Sequence, residues 1–301
     1  MRKLILNVIF LIAFIFTFFL FYFSFFGIKT KNFNSQIEKT ISEYDKNLSI
    51  NLSEVFLRLN IKQLNIEVKT LNPIIKLEKK KIEIDTIKSL LSLKAFLKKE
   101  FALKNLYIST KSNKIKDIID FIELKNNFSE LYLLQNKIQK GNLIANIVIN
   151  FDKNGDVKDN FEINGKVRNA SINLISNQNL SNINFLFEFK KDNYKFLNFE
   201  TSFNNLDFFS RKISIIEKNN NFLVDGDLEN KNVELNKEQL SETFIFISNN
   251  RYVDKLNFNS KNNFSFRLNS KFKIEDLTFD SNVKLKELIL INEKKGKYFL
   301  P

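Results

Sequence analysis

Residues 183–189 read INFLFEF, and every second position in this stretch carries a large apolar side chain. Successive side chains of a β-strand point to opposite faces of the sheet, so this alternation predicts a strand with one apolar face. The same period recurs through most of residues 141–301, and Asn-rich turns separate the runs. One such turn contains Asn154-Gly155, a dipeptide typical of tight hairpins. The sequence therefore predicts a mainly β fold built on a long antiparallel meander.

The apolar positions of these predicted strands are expected to share one face of the sheet. If a helix or a second sheet covers this face, it is an ordinary core; if nothing covers it, the face is a groove for apolar ligands. Because helical signals almost vanish after residue 141, we favour an elongated, twisted antiparallel sheet that forms an apolar groove. The residues predicted to line it are Leu143, Ile147, Ile149, Phe151, Ile183, Phe185, Phe187, Phe189, Phe199, Phe203, Phe222, Val224, Phe264, Phe266, Leu268 and Phe272.

The N-terminus carries a second strong signal, in residues 4–26. These 23 residues have no charge and include nine Phe. About 20 apolar residues suffice for a helix to cross a bilayer. Arg2 and Lys3 precede the run, which predicts a cytoplasmic N-terminus. A cleavable signal peptide is the alternative, but its apolar region is shorter and ends at a small-x-small site that is missing here.

Between the apolar run and residue 140 the pattern is mixed. A short amphipathic helix is predicted over residues 29–48, and two more over 87–98, with Asp85 or Thr86 as N-cap, and 114–125. Strands are predicted over 49–60, 62–69, 74–85 and 101–110, and a further short helix over 236–241. Three regions follow: a cytoplasmic tip and transmembrane anchor (1–28), a membrane-proximal α+β region (29–140), and the β-meander (141–301), which we expect to be incomplete at its C-terminal end.

Composition excludes several kinds of chemistry. The chain has no Cys and no His, which rules out Cys-His and Ser-His-Asp nucleophilic sites and thiolate or imidazole metal sites. Two acidic motifs remain. Residues 152–156 (DKNGD) resemble the start of a calcium loop without its Gly and Glu, and Asp225-Gly226-Asp227 is more typical of a bulge than of acid–base catalysis. We expect no enzyme activity and no cofactor.

The net charge of +13 is spread along the chain. A dispersed basic excess is typical of a solvated surface, and nucleic acid is not an expected partner on the far side of a membrane. One local concentration of lysines stands out, Lys79-Lys80-Lys81 together with Lys94, Lys98 and Lys99. We considered two explanations for it, contact with phospholipid headgroups and simple solvation, and the second is the more common.

Several phrases resemble one family. After the anchor and the short helix come SEVFLRL (53–59), PIIKL (73–77), IEI followed by LLSL (82–93) and FALKNLYI (101–108). Together they are similar to the N-terminal part of AsmA-like proteins of Gram-negative bacteria. The resemblance covers residues 1–125 by phrase and 140–292 by architecture alone, and the chain is short for this family.

The resemblance implies a single-pass inner-membrane protein whose bulk lies in the periplasm. Its groove would hold phospholipid acyl chains and take part in lipid transport between the two membranes or in outer-membrane biogenesis, with other envelope proteins as possible partners. The alternative is a structural adaptor of the cell envelope, with a closed β-sandwich and no lipid cargo. An envelope hydrolase is a third class, but no pair of acids in the sequence indicates it.

Overall fold

The computed structural model describes residues 2–32, 34–123, 135–173, 179–203, 206–219, 221–243, 253–270, 273–292 and 296–300. The protein is mainly β, with one large antiparallel sheet, an N-terminal apolar helix and a few short helices. The predicted mainly β fold with a long antiparallel sheet is therefore confirmed, while the apolar groove stays a prediction. The chain divides into two compact units, which are treated one at a time: a first unit of Met1–Asn113, Asp117–Asn127 and Ile144–Ile163, and a second of Lys114–Lys116, Phe128–Leu143 and Asn164–Pro301.

Helix α1 (Arg2–Phe25) is the predicted apolar segment. Its part from Asn7 to Phe25 is long and apolar enough to cross a membrane. Two residues after the helix ends comes Gly27, whose φ of +69° is a conformation that residues with a Cβ rarely adopt. A Cβ at this position would lie 2.5 Å from the Phe56 ring and 2.6 Å from the Leu57 carbonyl oxygen. Gly27 therefore lets the end of α1 pass close to the first unit's sheet.

The first unit contains most of the short elements. Its helices are α2 (Asn34–Tyr44), α3 (Leu93–Leu97) and most of α4 (Ile115–Glu123). Its strands are β1 (Ile28–Thr30), β2 (Leu48–Asn51), β3 (Val55–Asn60), β4 (Asn65–Leu71), β5 (Ile74–Leu77), β6 (Lys80–Ser92) and β7 (Leu103–Thr110). Short strand β8 (Asn113–Lys114) follows, and β9 (Ile138–Asn150) pairs with β7. The pairings run β1–β3–β4–β6–β7–β9, and β5 links β2 to β6.

The helix predicted over residues 87–98 is wrong for most of its length. Residues Lys80–Ser92 are one long strand, β6, and only the five residues Leu93–Leu97 are helical. Ile87, Leu90 and Leu91 fall at helical spacing, but β6 is hydrogen-bonded to β4 on one side and to β7 on the other. Pairing on both sides satisfies its backbone groups, and tertiary structure overrides the local pattern. Neither Asp85 nor Thr86 caps a helix.

Two other predicted strands are each divided. The run over 49–60 is split into β2 and β3, and the run over 74–85 turns at Glu78, whose φ is +52°. The strand predicted over 62–69 begins later, as β4 at Asn65, because Leu64 lies in the preceding turn with φ +50°. The helices predicted near 29–48 and 114–125 are confirmed as α2 and α4, with shorter bounds.

The second unit is a meander of long strands. Most of β10 (Glu162–Asn173) belongs to it, followed by β11 (Asn179–Lys190), β12 (Asn193–Phe203), β13 (Leu206–Lys218), β14 (Asn221–Asn236), β15 (Val253–Leu268), β16 (Ile274–Asn292) and β17 (Gly296–Leu300). From β11 to β17 each strand pairs antiparallel with the next. Within β10, Asn169 has a positive φ of 51°.

A packed core occupies one end of this meander. Helix α5 (Lys237–Thr243) follows β14, and Asn236 caps it: its Oδ1 accepts the Gln239 N–H at 2.9 Å, while Gln239 Oε1 accepts the Asn236 N–H at 3.0 Å. Leu240 of α5 is 2% exposed and belongs to a cluster with Leu206, Val233, Leu235 and Phe258. The helix predicted over 236–241 is thus confirmed, and it covers this end of one sheet face.

Candidate functional site

A row of apolar positions crosses six neighbouring strands of the second unit. Directly opposed residues of adjacent antiparallel strands place their side chains on the same face. The register connects, strand by strand, Phe187, Phe196, Ile213, Gly226, Phe264 and Phe279. Gly226 leaves no gap, because the Phe264 ring lies over it: a Cβ there would be 2.5 Å from the tip of the ring. The row is therefore continuous from β11 to β16.

A second apolar row runs beside the first on the same face. It consists of Phe189, Tyr194, Ile215, Val224 and Phe266. The residues between the two rows point to the opposite face and are polar: Glu188, Lys195, Ser214, Asp225, Ser265 and Thr278. In this region the sheet is amphipathic, with an apolar face that we call the apolar face of the second unit.

Aromatic rings are densest on β11 and β12. The Phe185 ring centroid lies 5.4 Å from that of Phe196 and 5.9 Å from that of Phe199. The Phe189 centroid lies 5.0 Å from Phe187 and 5.6 Å from Tyr194. These separations are typical of favourable aromatic pairs. The cluster therefore forms one continuous aromatic surface.

Tyr194 marks the border of this surface. Its hydroxyl donates a hydrogen bond to Glu217 Oε2 at 3.2 Å. Burial, followed by this contact with the carboxylate, raises the pKa of Tyr194 above its usual value. The ring therefore contributes apolar surface while a neutral hydroxyl meets a charged side chain.

The apolar face becomes more exposed towards β16. Phe187 is 4% exposed and Val224 is 5% exposed, which are values typical of a packed interior. On β16, Leu277 is 60% and Phe279 is 62% exposed, and Val283 further along the strand is 58% exposed. Large side chains at this exposure, continuous with a buried row, form an apolar patch of the kind that marks an interaction site.

A buried polar network separates the apolar rows from the core under α5. Ser260 Oγ donates to Asn230 Oδ1 at 2.9 Å, and Asn262 Nδ2 donates to Ser260 Oγ at 3.2 Å. Ser281 Oγ donates to Asn262 Oδ1 at 2.6 Å. Asn230 is 5% exposed and Ser260 is 8% exposed, so this part of the network is interior, whereas Ser281 is exposed. These polar groups satisfy one another's hydrogen bonds, so they can lie between the core under α5 and the apolar rows without an unpaired buried group.

The structure gathers much of the predicted site. Phe185, Phe187, Phe189 and Phe199 are in the aromatic cluster, and Val224, Phe264 and Phe266 lie on the two rows. Ile183 is buried on the same face of β11, and Phe222 and Leu268 oppose each other at the end of β14 and β15. Phe203 opposes Leu206 of the core, while Leu143 on β9 and Phe151 beyond it lie outside the rows. Phe272 lies outside the described residues.

The prediction missed Tyr194 and Phe196. Both alternate along β12, but Asn198 has φ +50°, and the register with β11 slips between Asn184 and Leu186. This irregularity brings both Phe196 and Phe199 into contact with the Phe185 ring, although their separation of three residues breaks a two-residue period. The alternation of Tyr194 and Phe196 within NYKF was the available signal.

The first unit carries an apolar face of its own. Its register connects Ile28, Leu57, Val68, Ser89, Leu106 and Ile149 in one row. A neighbouring row contains Val55, Thr70, Ile87, Ile108 and Ile147, which includes another predicted residue. The opposite face is more polar: Tyr107 and Ser109 hydroxyls both donate to Asn146 Oδ1, and Lys88 Nζ lies 5.7 Å from the Tyr107 ring centroid. The first row begins at Ile28, three residues after α1 ends.

Asp227 has a structural role. Its Oδ1 accepts hydrogen bonds from Ser210 Oγ at 3.3 Å and the Lys212 N–H at 3.2 Å, and Oδ2 accepts from Arg211 Nε at 3.1 Å. These donors lie where the register between β13 and β14 shifts. Asp227 therefore stabilises a bulge, as predicted, although the extra residue is on the facing strand. Burial opposes ionisation, but the hydrogen bonds from Lys212 and Arg211 hold the pKa of Asp227 below its usual value.

We expect Asp227→Asn to lower the free energy of unfolding by about 1–3 kcal/mol at neutral pH. A carboxyl whose pKa is depressed by folding contributes stability above its unfolded-state pKa, and this contribution is lost as the pH falls through the folded-state value. The difference from wild type should therefore shrink below about pH 4. Guanidinium unfolding of the detergent-solubilised chain, followed by circular dichroism, measures it. Asp225→Asn is the control, and equal losses for both variants would contradict the assignment.

The predicted turn at residues 152–156 is also confirmed. Asp152 Oδ1 accepts the N–H groups of Asn154 at 2.8 Å and Asp156 at 3.0 Å, and Phe151 bridges to Val157 across the turn. These backbone hydrogen bonds lower the pKa of Asp152. Within the described ranges, no three acidic side chains are grouped in a way that holds a metal ion.

Comparisons with known proteins give no relative. No protein-family model, no curated protein and no solved structure matches this chain.

Proposed function

We propose that this protein is a membrane-anchored lipid carrier of the cell envelope, similar in kind to AsmA-like proteins. In this proposal α1 fixes the chain in the inner membrane of a Gram-negative cell, and the sheet lies in the periplasm. The apolar face lines a groove that holds phospholipid acyl chains on their way between the inner and outer membranes. The observation that carries the proposal is the continuous apolar row from Phe187 to Phe279, which ends in side chains about 60% exposed.

The energetics of acyl-chain binding fit such a face. Burying one methylene group contributes about 0.8 kcal/mol, so a chain lying along several strands gains free energy at each step without a specific contact. Because the gain is similar at each of the exposed apolar positions, a lipid can move from one to the next without a deep energy minimum. The polar residues on the other face keep that surface in water. The proposed mechanism is passive: the acyl chains lie on the apolar face, and the lipid headgroups stay in water at its polar border.

The start of the first unit's apolar face supports the same proposal. Ile28 opens the row that continues through Leu57 and Val68, and it follows directly after Gly27 at the end of α1. An apolar face that begins beside a membrane helix is accessible to acyl chains that leave the bilayer. The anchor therefore gives this face a source of lipid.

Native mass spectrometry of the full chain tests the proposal. The protein is purified in a mild detergent, exchanged into one that strips loosely bound lipid, and analysed intact and after lipid extraction. We expect at least one phospholipid per chain to remain. A folded chain that carries no phospholipid would overturn the lipid-carrier function and favour a structural adaptor, whose exposed β16 side chains contact another protein.

A further inference from the structure

A cavity of about 310 Å³ in the first unit has a basic lining. Five lysines contribute to its wall: Lys94, Lys98, Lys104, Lys153 and Lys158. Two carboxylates, Glu100 and Asp152, also line it. Part of the wall is aromatic, because the Phe101 and Phe151 rings lie 5.7 Å apart beside the lysines. We call this cavity the lysine pocket.

Most of this positive charge is not neutralised by the protein. Among the described residues, no carboxylate lies within ion-pair distance of Lys94, Lys98 or Lys153. Lys104 Nζ donates to Asn65 Oδ1 at 2.9 Å, which is a neutral partner. The carboxylates of Glu100 and Asp152 offset two of the five positive charges, and Asp152, which the backbone of its own turn holds, acts on Lys158. The lysine pocket therefore offers several ammonium groups to an anion.

The lysines singled out in the sequence divide into two groups in the structure. Lys80 forms an ion pair with Asp120, and Lys81 forms one with Glu83 at 3.1 Å. These residues begin β6, whereas Lys94, Lys98 and Lys99 follow its end. A strand of 13 residues separates the two groups by about 40 Å. Of these lysines, Lys94 and Lys98 line the lysine pocket.

The lysine pocket lies at the sheet edge from which the membrane helix departs. Strands β1 and β3 are antiparallel, with Thr30 opposite Val55 and Ile28 opposite Leu57. The start of β1 therefore lies towards Asn60, the end of β3. That direction leads to Gly27 and α1. The strand ends on the same edge are Asn60, Asn65, Ser92, Leu103 and Asn150, next to the residues of the pocket. We call this the anchor edge.

Exposed apolar residues accompany the lysines at the anchor edge. Ile61 and Leu64, in the turn between β3 and β4, are 43% and 40% exposed, and Leu97 on α3 is 81% exposed. Apolar tips among basic side chains are typical of surfaces that contact a bilayer, where the tips enter the acyl boundary and the lysines meet headgroups. Leu103, in the pocket wall, also ends an apolar row with Leu59, Ile66 and Leu91.

We propose that the lysine pocket binds the phosphate-bearing headgroup of an anionic phospholipid at the membrane surface. The inference rests on the proposed function and assigns the place where a phospholipid first binds the protein. The lysines hold the negatively charged headgroup at the anchor edge, while the acyl chains meet the apolar row that starts at Leu103. A zwitterionic lipid lacks the net charge that the pocket selects.

Lipid competition on the full chain tests this site. Detergent-solubilised protein is mixed with equal amounts of phosphatidylglycerol and phosphatidylcholine that carry the same acyl chains, and native mass spectrometry gives the bound ratio. Lys98→Gln/Lys153→Gln should reduce the preference for phosphatidylglycerol roughly thirtyfold, since each lysine near an anionic surface contributes about 1 kcal/mol. Lys76→Gln/Lys79→Gln removes the same charge away from the anchor edge and should leave the ratio unchanged.

Three outcomes would overturn the assignment. These are equal binding of both lipids by wild type, the same bound ratio in the two double variants, and loss of the preference in millimolar inorganic phosphate, which would mark a site for free phosphate. The readout is a ratio, so it is independent of the lipid count that tests the proposed function. If wild type prefers phosphatidylglycerol and Lys98→Gln/Lys153→Gln loses this preference, but no lipid binds on the apolar face, the carrier function alone is refuted.

Discussion

Replacing Phe187 with alanine is expected to lower the free energy of unfolding by about 3–5 kcal/mol, as is usual for a large buried aromatic side chain. Phe187 is 4% exposed, and its ring lies 5.0 Å from Phe189 and 6.3 Å from Phe185. Its removal leaves a cavity in the aromatic cluster and exposes the rings around it. Guanidinium unfolding in detergent, followed by circular dichroism, measures the change.

Phe279→Ala is the matched control for this experiment. It removes the same side chain from the same apolar row, but at a position that is 62% exposed. A substitution at so exposed a site is expected to cost less than about 1 kcal/mol. Similar destabilisation by the two variants would contradict the division of the apolar face into a packed part and an open part.

The second large effect is expected on lipid content. Leu277→Asp/Phe279→Asp places two carboxylates on the exposed part of the apolar face, where an acyl chain would have to desolvate them. We expect retained phospholipid to fall about tenfold or more, which corresponds to a loss of about 1.4 kcal/mol or more. Because both side chains are about 60% exposed, folding should be preserved.

The control pair lies on the opposite face of the same sheet. Ile216→Asp/Leu223→Asp also adds two carboxylates, at positions that are 40% and 44% exposed. Lipid extraction and mass spectrometry compare the two variants after circular dichroism has confirmed their folding. Lipid content that falls equally in both, or in neither, would show that the apolar face does not hold the lipid.

Local features of the sequence predicted much of this structure. Length and hydropathy alone identify the apolar segment of α1. The start of α5 is fixed by a capping pair, Asn236 and Gln239, within its first turn. The strand β11 was evident because Ile183, Phe185, Phe187 and Phe189 alternate without a break. In each case the residues that decide the structure are close together in the chain.

The errors have a common physical cause, which is pairing between distant residues. Leu90 and Leu91 fit a helix as well as a strand, and pairing with β4 and β7 decides for the strand. The irregularity at Asn198, which hid Phe196 and Tyr194, exists only in relation to the register of β11. The lysine pocket brings Lys98 and Lys153 together across 55 residues of sequence, and no local pattern predicts that.

Site-specific photocrosslinking tests the central claim most directly. The photoreactive residue p-benzoylphenylalanine is introduced in the full chain at Phe279 on the apolar face or at Leu223 on the opposite face, and the protein is irradiated in its native membrane. The proposal predicts a phospholipid adduct, detected by intact-mass analysis, at position 279 and none at 223. The absence of a lipid adduct at 279, or equal adducts at both positions, would contradict it.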